Sequence, residues 1–364
     1  MKKIVFIINS AKQARCIKRV EEFIEKGYQV EAYGFDRNGD NRVLSTNIRI
    51  IGTIQDGSDY FARILYMRKC IKNTIKNINK KEETLFYLFN FDVAISFISL
   101  NIKHKYKSYF YEVSDLAELT IHNKIIKNLI IKLNKYLMNY AELNIFTSEG
   151  FKDYYSMISP SKIFVIPNKV STNCPPAIEE EKTIDTNSIN IGFVGVIRFE
   201  TIYNFIRVAA KKKNVLIHLF GIYSNGDIVS DKIKKLVDDN KNIIYHGPFK
   251  NPNDLPQIYN QIDLVLSAYP PTPGVIYAEP NKLYEAMYFR CPIIVSKNTF
   301  LGKKVERLNV GYVIDATSEE SIDKFLSSID IEDCNNKINS CRLIPQKDCL
   351  NINEDFFKRL ETLC

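Results

Sequence analysis

Short, continuous apolar runs recur along the first half of the chain and alternate with longer segments of helical periodicity. Strands of a parallel sheet are covered on both faces, so they read as unbroken apolar runs joined by helices of about a dozen residues or more. The pattern therefore predicts repeated βαβ units. The predicted strands lie at 4–8, 29–35, 48–54, 84–89, 108–113, 143–148 and 163–168.

A polar segment at 169–188 interrupts this alternation and has neither helical nor strand periodicity. Because it contains two adjacent prolines, we interpret it as a linker. A second series of strands follows at 189–196, 215–221, 243–249, 264–269, 292–296 and 311–315. The sequence thus predicts an α/β protein with two doubly wound, Rossmann-like domains that face a cleft.

The predicted boundaries follow from these two series. An N-terminal domain is expected at 1–168, the linker at 169–188 and a C-terminal domain at 189–345. The remaining residues, 346–364, are expected to form a C-terminal helix that can pack back on the N-terminal domain. Ligands of doubly wound sheets bind at the carboxyl ends of strands, so functional residues are expected in the loops that follow strands.

Composition agrees with this picture and narrows the protein class. With 364 residues, of which 45% are hydrophobic and 25% charged, the chain is globular and long enough for two domains. Its longest apolar runs are far shorter than the roughly 18 residues of a membrane-spanning helix. The apolar patch after Lys3 is also too short for a signal peptide, so a cytoplasmic location is expected.

The sequence contains no pattern typical of a metal site or of a set of disulfide bonds. The eight cysteines contain no Cys-X-X-Cys pair, and the four histidines have no ligand spacing. This argues against a zinc site or a disulfide framework and indicates reduced thiols. The chain also has no Asp-X-Asp triplet, which could hold a divalent cation. We therefore expect neither a metal nor a cofactor.

The net charge of +8 is compatible with nucleic acid, an anionic membrane surface or a phosphate-bearing ligand. A nucleic-acid partner is not expected, because no module that recognises one is present. Two Lys-rich helical faces are either solvated or in contact with an anionic membrane surface. One face contains Lys69, Lys72, Lys76 and Lys80; the other contains Lys124, Lys127, Lys132 and Lys135, with Ile131 and Met138 among them.

Four motifs in sequence order resemble the GT-B glycosyltransferases, specifically glycosyltransferase family 4. KRVEEFIEKGYQVEAYGFDR at 18–37 is similar to the first helix and second strand of the family, and YEVSDL at 111–116 to a central loop. IGFVGVIR at 191–198 resembles the start of the nucleotide-binding domain. PNKLYEAM at 280–287, followed by CPIIVS at 291–296, is the most specific match.

The resemblance implies a retaining, metal-independent transfer of a sugar from a UDP- or GDP-linked donor. The C-terminal domain would hold this donor. The N-terminal domain would hold the acceptor, which would be a glycan or lipid-linked precursor of a surface polysaccharide.

The donor site is predicted around the motif at 280–287. Breaking the donor bond puts negative charge on the diphosphate, which requires cations and helix N-termini. A Lys in the first turn of a helix is unfavourable without a nearby anion, so Lys282 is expected to neutralise the diphosphate. Glu285 is expected to bind the ribose hydroxyls. The predicted donor-binding residues are Gly195, Arg198, Gly221, His246, Tyr277, Pro280, Asn281, Lys282, Leu283 and Glu285.

Simpler roles remain open for these residues. Lys282 could be a solvated surface Lys, and Glu285 could serve only as its partner within the helix. Arg198 could be an ordinary residue at a strand end, and Gly221 could be required only by a turn.

The catalytic candidates are Asp115, Glu279, Lys282 and Arg198. The family often has two Glu eight residues apart, but the residue eight before Glu285 is Tyr277, and Glu279 lies only six before it. Whether Glu279 replaces the missing acid is open.

The predicted acceptor-binding residues follow strands of the N-terminal domain. Ser114 stands where the family frequently has His, so a proton-transfer role there is not expected. Asp115 could orient an acceptor hydroxyl or cap a helix. The full acceptor set is Ser10, Arg15, Ser114, Asp115 and Glu118.

Two alternatives to a transferase remain at this stage. A nucleotide-sugar epimerase of the same fold would act on the donor without an acceptor. A non-catalytic protein that binds nucleotide sugars is suggested by Tyr277 and Ser114, which stand where the family commonly has an acid and a His.

Overall fold

The computed structural model describes residues 3–37, 39, 45–55, 57, 59–76, 78, 84–100, 108–178, 184 and 188–363. Lys80 and most of the predicted linker after residue 178 lie outside the described residues. The chain forms two compact units. The N-terminal unit comprises residues 1–166 and 353–364, and the C-terminal unit comprises residues 167–352.

In the N-terminal unit, the described strands form a seven-stranded parallel sheet in the order β3-β2-β1-β4-β5-β6-β7. The order reverses between β1 and β4, which is the defining feature of a doubly wound sheet. The strands are β1 Lys3–Ile8, β2 Val30–Arg37, β3 Ile48–Ile54, β4 Thr84–Phe89, β5 Tyr109–Val113, β6 Leu143–Phe146 and β7 Ile163–Val165.

Helices cover both faces of this sheet. They are α1 Ala14–Glu25, α2 Tyr60–Ile75, α3 Asn90–Ile98, α4 Lys124–Tyr140 and α5 Gly150–Tyr154. The connection through α1 runs from β1 to β2, whereas those through α2, α3 and α4 run in the opposite direction across the sheet. Because parallel connections are right-handed, α2, α3 and α4 share one face of the sheet and α1 lies on the other. Accordingly, α3 contacts both α2 and α4.

The C-terminal unit repeats the plan with a parallel sheet in the order β10-β9-β8-β11-β12-β13, which reverses between β8 and β11. The strands are β8 Ile189–Ile197, β9 Val215–Tyr223, β10 Ile243–Gly247, β11 Leu264–Ser267, β12 Ile293–Ser296 and β13 Gly311–Ile314. The prediction of two doubly wound, Rossmann-like sheets is therefore confirmed.

The helices of the C-terminal unit lie between and after these strands. They are α6 Glu200–Ala209, α7 Ile228–Asp239, α8 Leu255–Asn260, α9 Asn281–Tyr288, α10 Phe300–Leu308, α11 Glu319–Ser327, α12 Ile331–Leu343 and α13 Gln346–Cys349. The segment before β8 belongs to the same unit, and Val170 forms a bridge with Leu350. The final helix, α14 Glu354–Leu363, belongs to the N-terminal unit.

The core beneath α1 explains this return of the chain. Phe356, Phe357 and Leu360 of α14 are buried in the same apolar cluster as Phe6 and Phe23. The ring of Phe23 lies 5.1 Å from that of Phe357 and 6.0 Å from that of Phe356, both edge-on. Residues from the two ends of the described chain therefore complete one core.

Candidate functional site

A cavity of about 420 Å³ opens at the carboxyl edge of the C-terminal sheet. The end of β8, the segment after β11 and the first turn of α9 line it, and its polar lining includes Arg198, Asn281 and Lys282. The volume suits a small ligand. β8 and β11 flank the reversal of strand order, where doubly wound sheets bind ligands. The strand order and the cavity therefore indicate the same ligand-binding site.

The first turn of α9 carries a buried ion pair. The Lys282 Nζ lies 2.6 Å from Oε2 of Glu285, one turn further along the helix, and both side chains are almost completely buried. Tyr259 also donates to Oε2, at 2.7 Å, and the Asn281 amide donates to Oε1 at 2.6 Å. Burial and the Glu285 carboxylate raise the pKa of Tyr259 well above its usual range, so it stays a donor.

These contacts bear on the simpler roles of Lys282 and Glu285. Lys282 is not a solvated surface residue, since it is buried and lines the cavity. It is also the partner of Glu285 within the helix. Three donors engage the Glu285 carboxylate, whose two oxygens have about four acceptor positions. The carboxylate thus keeps capacity for one further hydrogen bond.

Glu279 forms a second buried pair close to the cavity. Its Oε1 lies 2.6 Å from the Lys304 Nζ and also accepts a hydrogen bond from the Tyr284 hydroxyl. Among the described residues, the cavity lining includes the neighbours Ala278 and Pro280 but not Glu279 itself. Tyr277 is half-buried and does not line the cavity either. The Glu279 carboxylate therefore helps to fix the segment that leads into α9.

Gly195 and Gly221 are partners in register on β8 and β9, and both have positive φ angles, +148° and +139°. A Cβ on Gly221 would lie 1.8 Å from the Gly195 carbonyl oxygen, which a folded chain cannot accommodate. A Cβ on Gly195 would meet nothing within 4 Å, because this residue faces the open cavity. Gly195 therefore lets a ligand approach bare backbone, whereas Gly221 permits the close approach of two strands.

Arg198 follows β8 and lines the cavity with an exposed side chain. Its guanidinium lies 5.0 Å from the ring centre of Phe199. Within the described part of the chain, no carboxylate forms an ion pair with it. Its planar donors are thus available to a phosphate, which guanidinium binds in a two-pronged geometry.

His246 and Leu283 do not reach the lining. The ring of His246 stacks on Phe220 with centres 4.2 Å apart, and its Nε2 lies 3.0 Å from Nδ1 of His218. Burial, and then the neighbouring His246, lower the pKa of His218 and favour its neutral form. Leu283 is buried in the core under α9. Of the predicted donor residues, those that line the cavity are Gly195, Arg198, Pro280, Asn281 and Lys282.

The N-terminal unit brings Ser114 and Asp115 together with Asn90, a residue that the sequence analysis missed. Asn90 follows β4 with a φ of +64° and is buried. Its amide oxygen accepts hydrogen bonds from the Ser114 amide at 3.0 Å and hydroxyl at 2.5 Å, and its amide nitrogen donates to Asp115 at 3.1 Å. Asn tolerates left-handed backbone better than most residues, which was the available signal.

The other predicted acceptor residues have different surroundings. Glu118 is completely buried and accepts hydrogen bonds from Tyr155 at 2.6 Å and Asn134 at 3.3 Å, so it faces the core. The Arg15 Nε lies 3.3 Å from the Glu112 carboxylate. Two of the Arg15 nitrogens, Nε and Nη2, are buried without a hydrogen bond. Ser10 is half-buried in the loop after β1.

Two further observations concern metals and membranes. In the described ranges, no group of three or more His, Cys, Asp or Glu side chains is arranged to hold a metal ion. Within the same residues, none of the helices combines the length and the apolar character that crossing a bilayer requires.

Comparison with known proteins identifies the fold. No protein-family model matches the sequence, and no curated protein matches it. The structure is similar to sucrose-phosphate synthase from Thermosynechococcus elongatus, with a TM-score of 0.75, 14% identity and coverage of 100% of this chain and 98% of that one. It is also similar to Anabaena Alr3699/HepE in complex with UDP-glucose, with a TM-score of 0.72, 13% identity and full coverage of both chains.

A glycosyltransferase from Rickettsia africae matches with a TM-score of 0.64 and 14% identity, over 99% of this chain and 97% of that one. At such identities the similarity concerns the fold alone. The chain has the GT-B fold of these enzymes.

Proposed function

We propose that this protein is a glycosyltransferase that moves a sugar from a nucleotide-sugar donor to a glycan or lipid-linked acceptor, with retention of configuration. The observation that carries the proposal is the cavity where the strand order of the C-terminal sheet reverses. Arg198, Lys282 and the backbone of Gly195 line this cavity together. This combination suits a diphosphate, and the similar HepE structure holds UDP-glucose. We therefore favour a UDP-linked donor over a GDP-linked one.

The proposed chemistry depends on charge that develops as the donor bond breaks. The leaving diphosphate becomes more negative, and Arg198, Lys282 and the N-terminus of α9 would stabilise that charge. Since Lys282 is already held by Glu285, it is positioned before the ligand arrives. Glu285 would use its remaining acceptor capacity for the ribose. Glu279, held by Lys304, would keep the entry to α9 in place.

The acceptor is assigned to the N-terminal unit. Asp115 is held by Asn90 and Ser114, and its side chain is exposed. A carboxylate held in this way can orient a sugar hydroxyl by accepting its hydrogen bond. With a lipid-linked acceptor for a surface polysaccharide, the protein would work in the cytoplasm, peripherally at the inner face of the membrane.

Arg198→Ala should weaken binding of UDP about tenfold or more, because a charge-assisted hydrogen bond contributes about 1.5–3 kcal/mol. Binding of uridine should not change, since it has no phosphate. The free energy of unfolding should stay within about 0.5 kcal/mol of the wild type, because the side chain is exposed and forms no ion pair within the described residues. Titration calorimetry and urea unfolding measure these quantities.

Lys241→Ala is the matched control for Arg198→Ala, since Lys241 is exposed and does not line the cavity. Equal UDP affinity in both variants would remove Arg198 from the site. If the wild type binds a UDP-sugar but neither transfers the sugar to any acceptor offered nor epimerises it, the protein is a binding protein instead. Conversion of the donor alone into its epimer would indicate an epimerase.

Transfer should persist in EDTA. Arg198 and Lys282 line the cavity, and the described residues include no carboxylate or histidine cluster that could hold a metal ion. Sugar transfer measured with and without EDTA should differ by less than about twofold, since fixed cations replace the metal's role of stabilising charge. Loss of activity in EDTA and its recovery with magnesium or manganese would contradict this assignment.

A further inference from the structure

Helix α4 presents an apolar stripe to solvent. Ile125 is 81% exposed, Leu129 49%, Tyr136 44% and Tyr140 57%. At 3.6 residues per turn, these four side chains fall within an arc of about 60° on the helix. The buried Asn134 lies on the opposite side. The stripe therefore lies on the side of α4 that is turned towards solvent.

The inner face of α4 is fixed by hydrogen bonds. The Asn134 amide accepts from the Tyr111 hydroxyl at 2.8 Å and donates to the Tyr155 hydroxyl at 2.8 Å. It also lies 3.3 Å from the Glu118 carboxylate. Because breaking these bonds would leave buried polar groups unsatisfied, α4 cannot rotate to hide the stripe.

These contacts correct the face predicted from the sequence. Met138, which was expected to lie on the basic face, is fully buried, and Ile131 is only half-buried. Lys127 is also half-buried, whereas Lys124, Lys132 and Lys135 are exposed. The outward face thus combines three exposed Lys with four exposed apolar residues.

The charged residues within α4 and α2 are all basic. The sequence of α4 contains four Lys and no acidic residue. Helix α2 on the same side contains Arg63, Arg68, Lys69 and Lys72, again with no acidic residue. Its Phe61 and Leu65 are exposed as well.

This combination favours a lipid surface over other partners. Nucleic acid would use the Lys side chains but leave the apolar stripe in water. A second copy of the chain would place one acid-free basic helix against another, which like charges oppose. An anionic bilayer accepts both parts, since Lys lies at the headgroups while Ile, Leu and Tyr enter the interface.

We propose that α4, supported by α2, docks the protein on an anionic lipid bilayer through Ile125, Leu129, Tyr136 and Tyr140 flanked by Lys124, Lys132 and Lys135. This deepens the proposed function, because it brings the enzyme to the surface where a lipid-linked acceptor lies. The docking itself needs no sugar transfer, so it can be tested separately from activity.

The test is co-flotation of the full chain with phosphatidylglycerol vesicles, with phosphatidylcholine vesicles as the uncharged comparison. The wild type is expected to float with the former and much less with the latter. Each Lys near an anionic surface strengthens binding about fivefold, so Lys124→Gln, Lys132→Gln and Lys135→Gln together should weaken it about a hundredfold. Ile125→Ser with Leu129→Ser should also release the protein, including at low salt.

A triple variant of the C-terminal unit, Lys213→Gln, Lys235→Gln and Lys241→Gln, matches the change in net charge. These three Lys are exposed and lie far along the chain from α4. The control should bind vesicles like the wild type, and UDP affinity should be equal in all variants. The proposal fails if the wild type ignores phosphatidylglycerol vesicles at low salt, if the control loses binding equally, or if Ile125→Ser with Leu129→Ser instead dissociates a dimer.

Discussion

Lys282→Ala is expected to lower the free energy of unfolding of the C-terminal unit by about 3–5 kcal/mol, the usual effect of removing one partner of a buried ion pair. The change leaves the Glu285 carboxylate buried with only the Asn281 and Tyr259 donors. It should also weaken UDP binding about tenfold to a hundredfold, because a buried charge-assisted contact to the diphosphate is lost. Urea unfolding and calorimetry measure the two effects.

The two effects can be separated with a second variant. Lys282→Met combined with Glu285→Gln removes both charges at similar side-chain volume, so stability should largely return. UDP binding should not return, because the cation at the cavity is still missing and the carboxylate proposed to bind the ribose has been replaced. Recovery of both properties would mean that Lys282 serves the fold alone and that the diphosphate binds elsewhere.

Gly221→Ala is expected to destabilise the C-terminal unit by roughly 2–6 kcal/mol, the sum of overpacking and backbone strain. The added Cβ would overlap the Gly195 carbonyl, and the φ of +139° is unfavourable for Ala. To avoid the overlap, β8 and β9 would have to separate at Gly195, which lines the cavity. UDP binding should therefore fall together with stability.

Gly247→Ala is the matched control for this effect. Gly247 also has a positive φ, +82°, but a Cβ there would meet nothing within 4 Å. It should lose only the strain of a left-handed residue, about 1–2 kcal/mol. The difference between the two variants in urea unfolding isolates the contact between strands. Equal losses would show that Gly221 is required for its backbone angle alone.

The strands and the motif at 280–287 could be predicted from the sequence because each depends on neighbouring residues in the chain. Apolar runs predicted both sheets, and the motif at 280–287 predicted Lys282, which the structure places in the cavity lining. Pro280 immediately precedes the first residue of α9 and has the extended backbone that is usual at an N-cap. These features need no information from distant parts of the chain.

The features that were missed depend on contacts between distant residues. Asn90 matters because its side chain reaches the end of the neighbouring strand, 24 residues away. Glu118 is buried because Asn134 and Tyr155, both later in the chain, satisfy its carboxylate. His246 turns towards Phe220 and His218 on the adjacent strand. Periodicity predicts which face of a helix or strand is apolar. It does not predict which polar residue from another element will form a hydrogen bond with that face.

The return of α14 to the first core has a consequence for biosynthesis. A ribosome completes the whole C-terminal unit, residues 167–352, before it adds the Phe356, Phe357 and Leu360 that cover Phe23. During that interval, the nascent N-terminal sheet keeps an apolar surface on the α1 side without its cover. Domains usually fold in order as they leave the ribosome, but here the first unit cannot complete its core until the second unit has been synthesised. A chain truncated before α14 would therefore expose more apolar surface in its N-terminal unit than in its C-terminal unit. That surface would be accessible to chaperones and proteases.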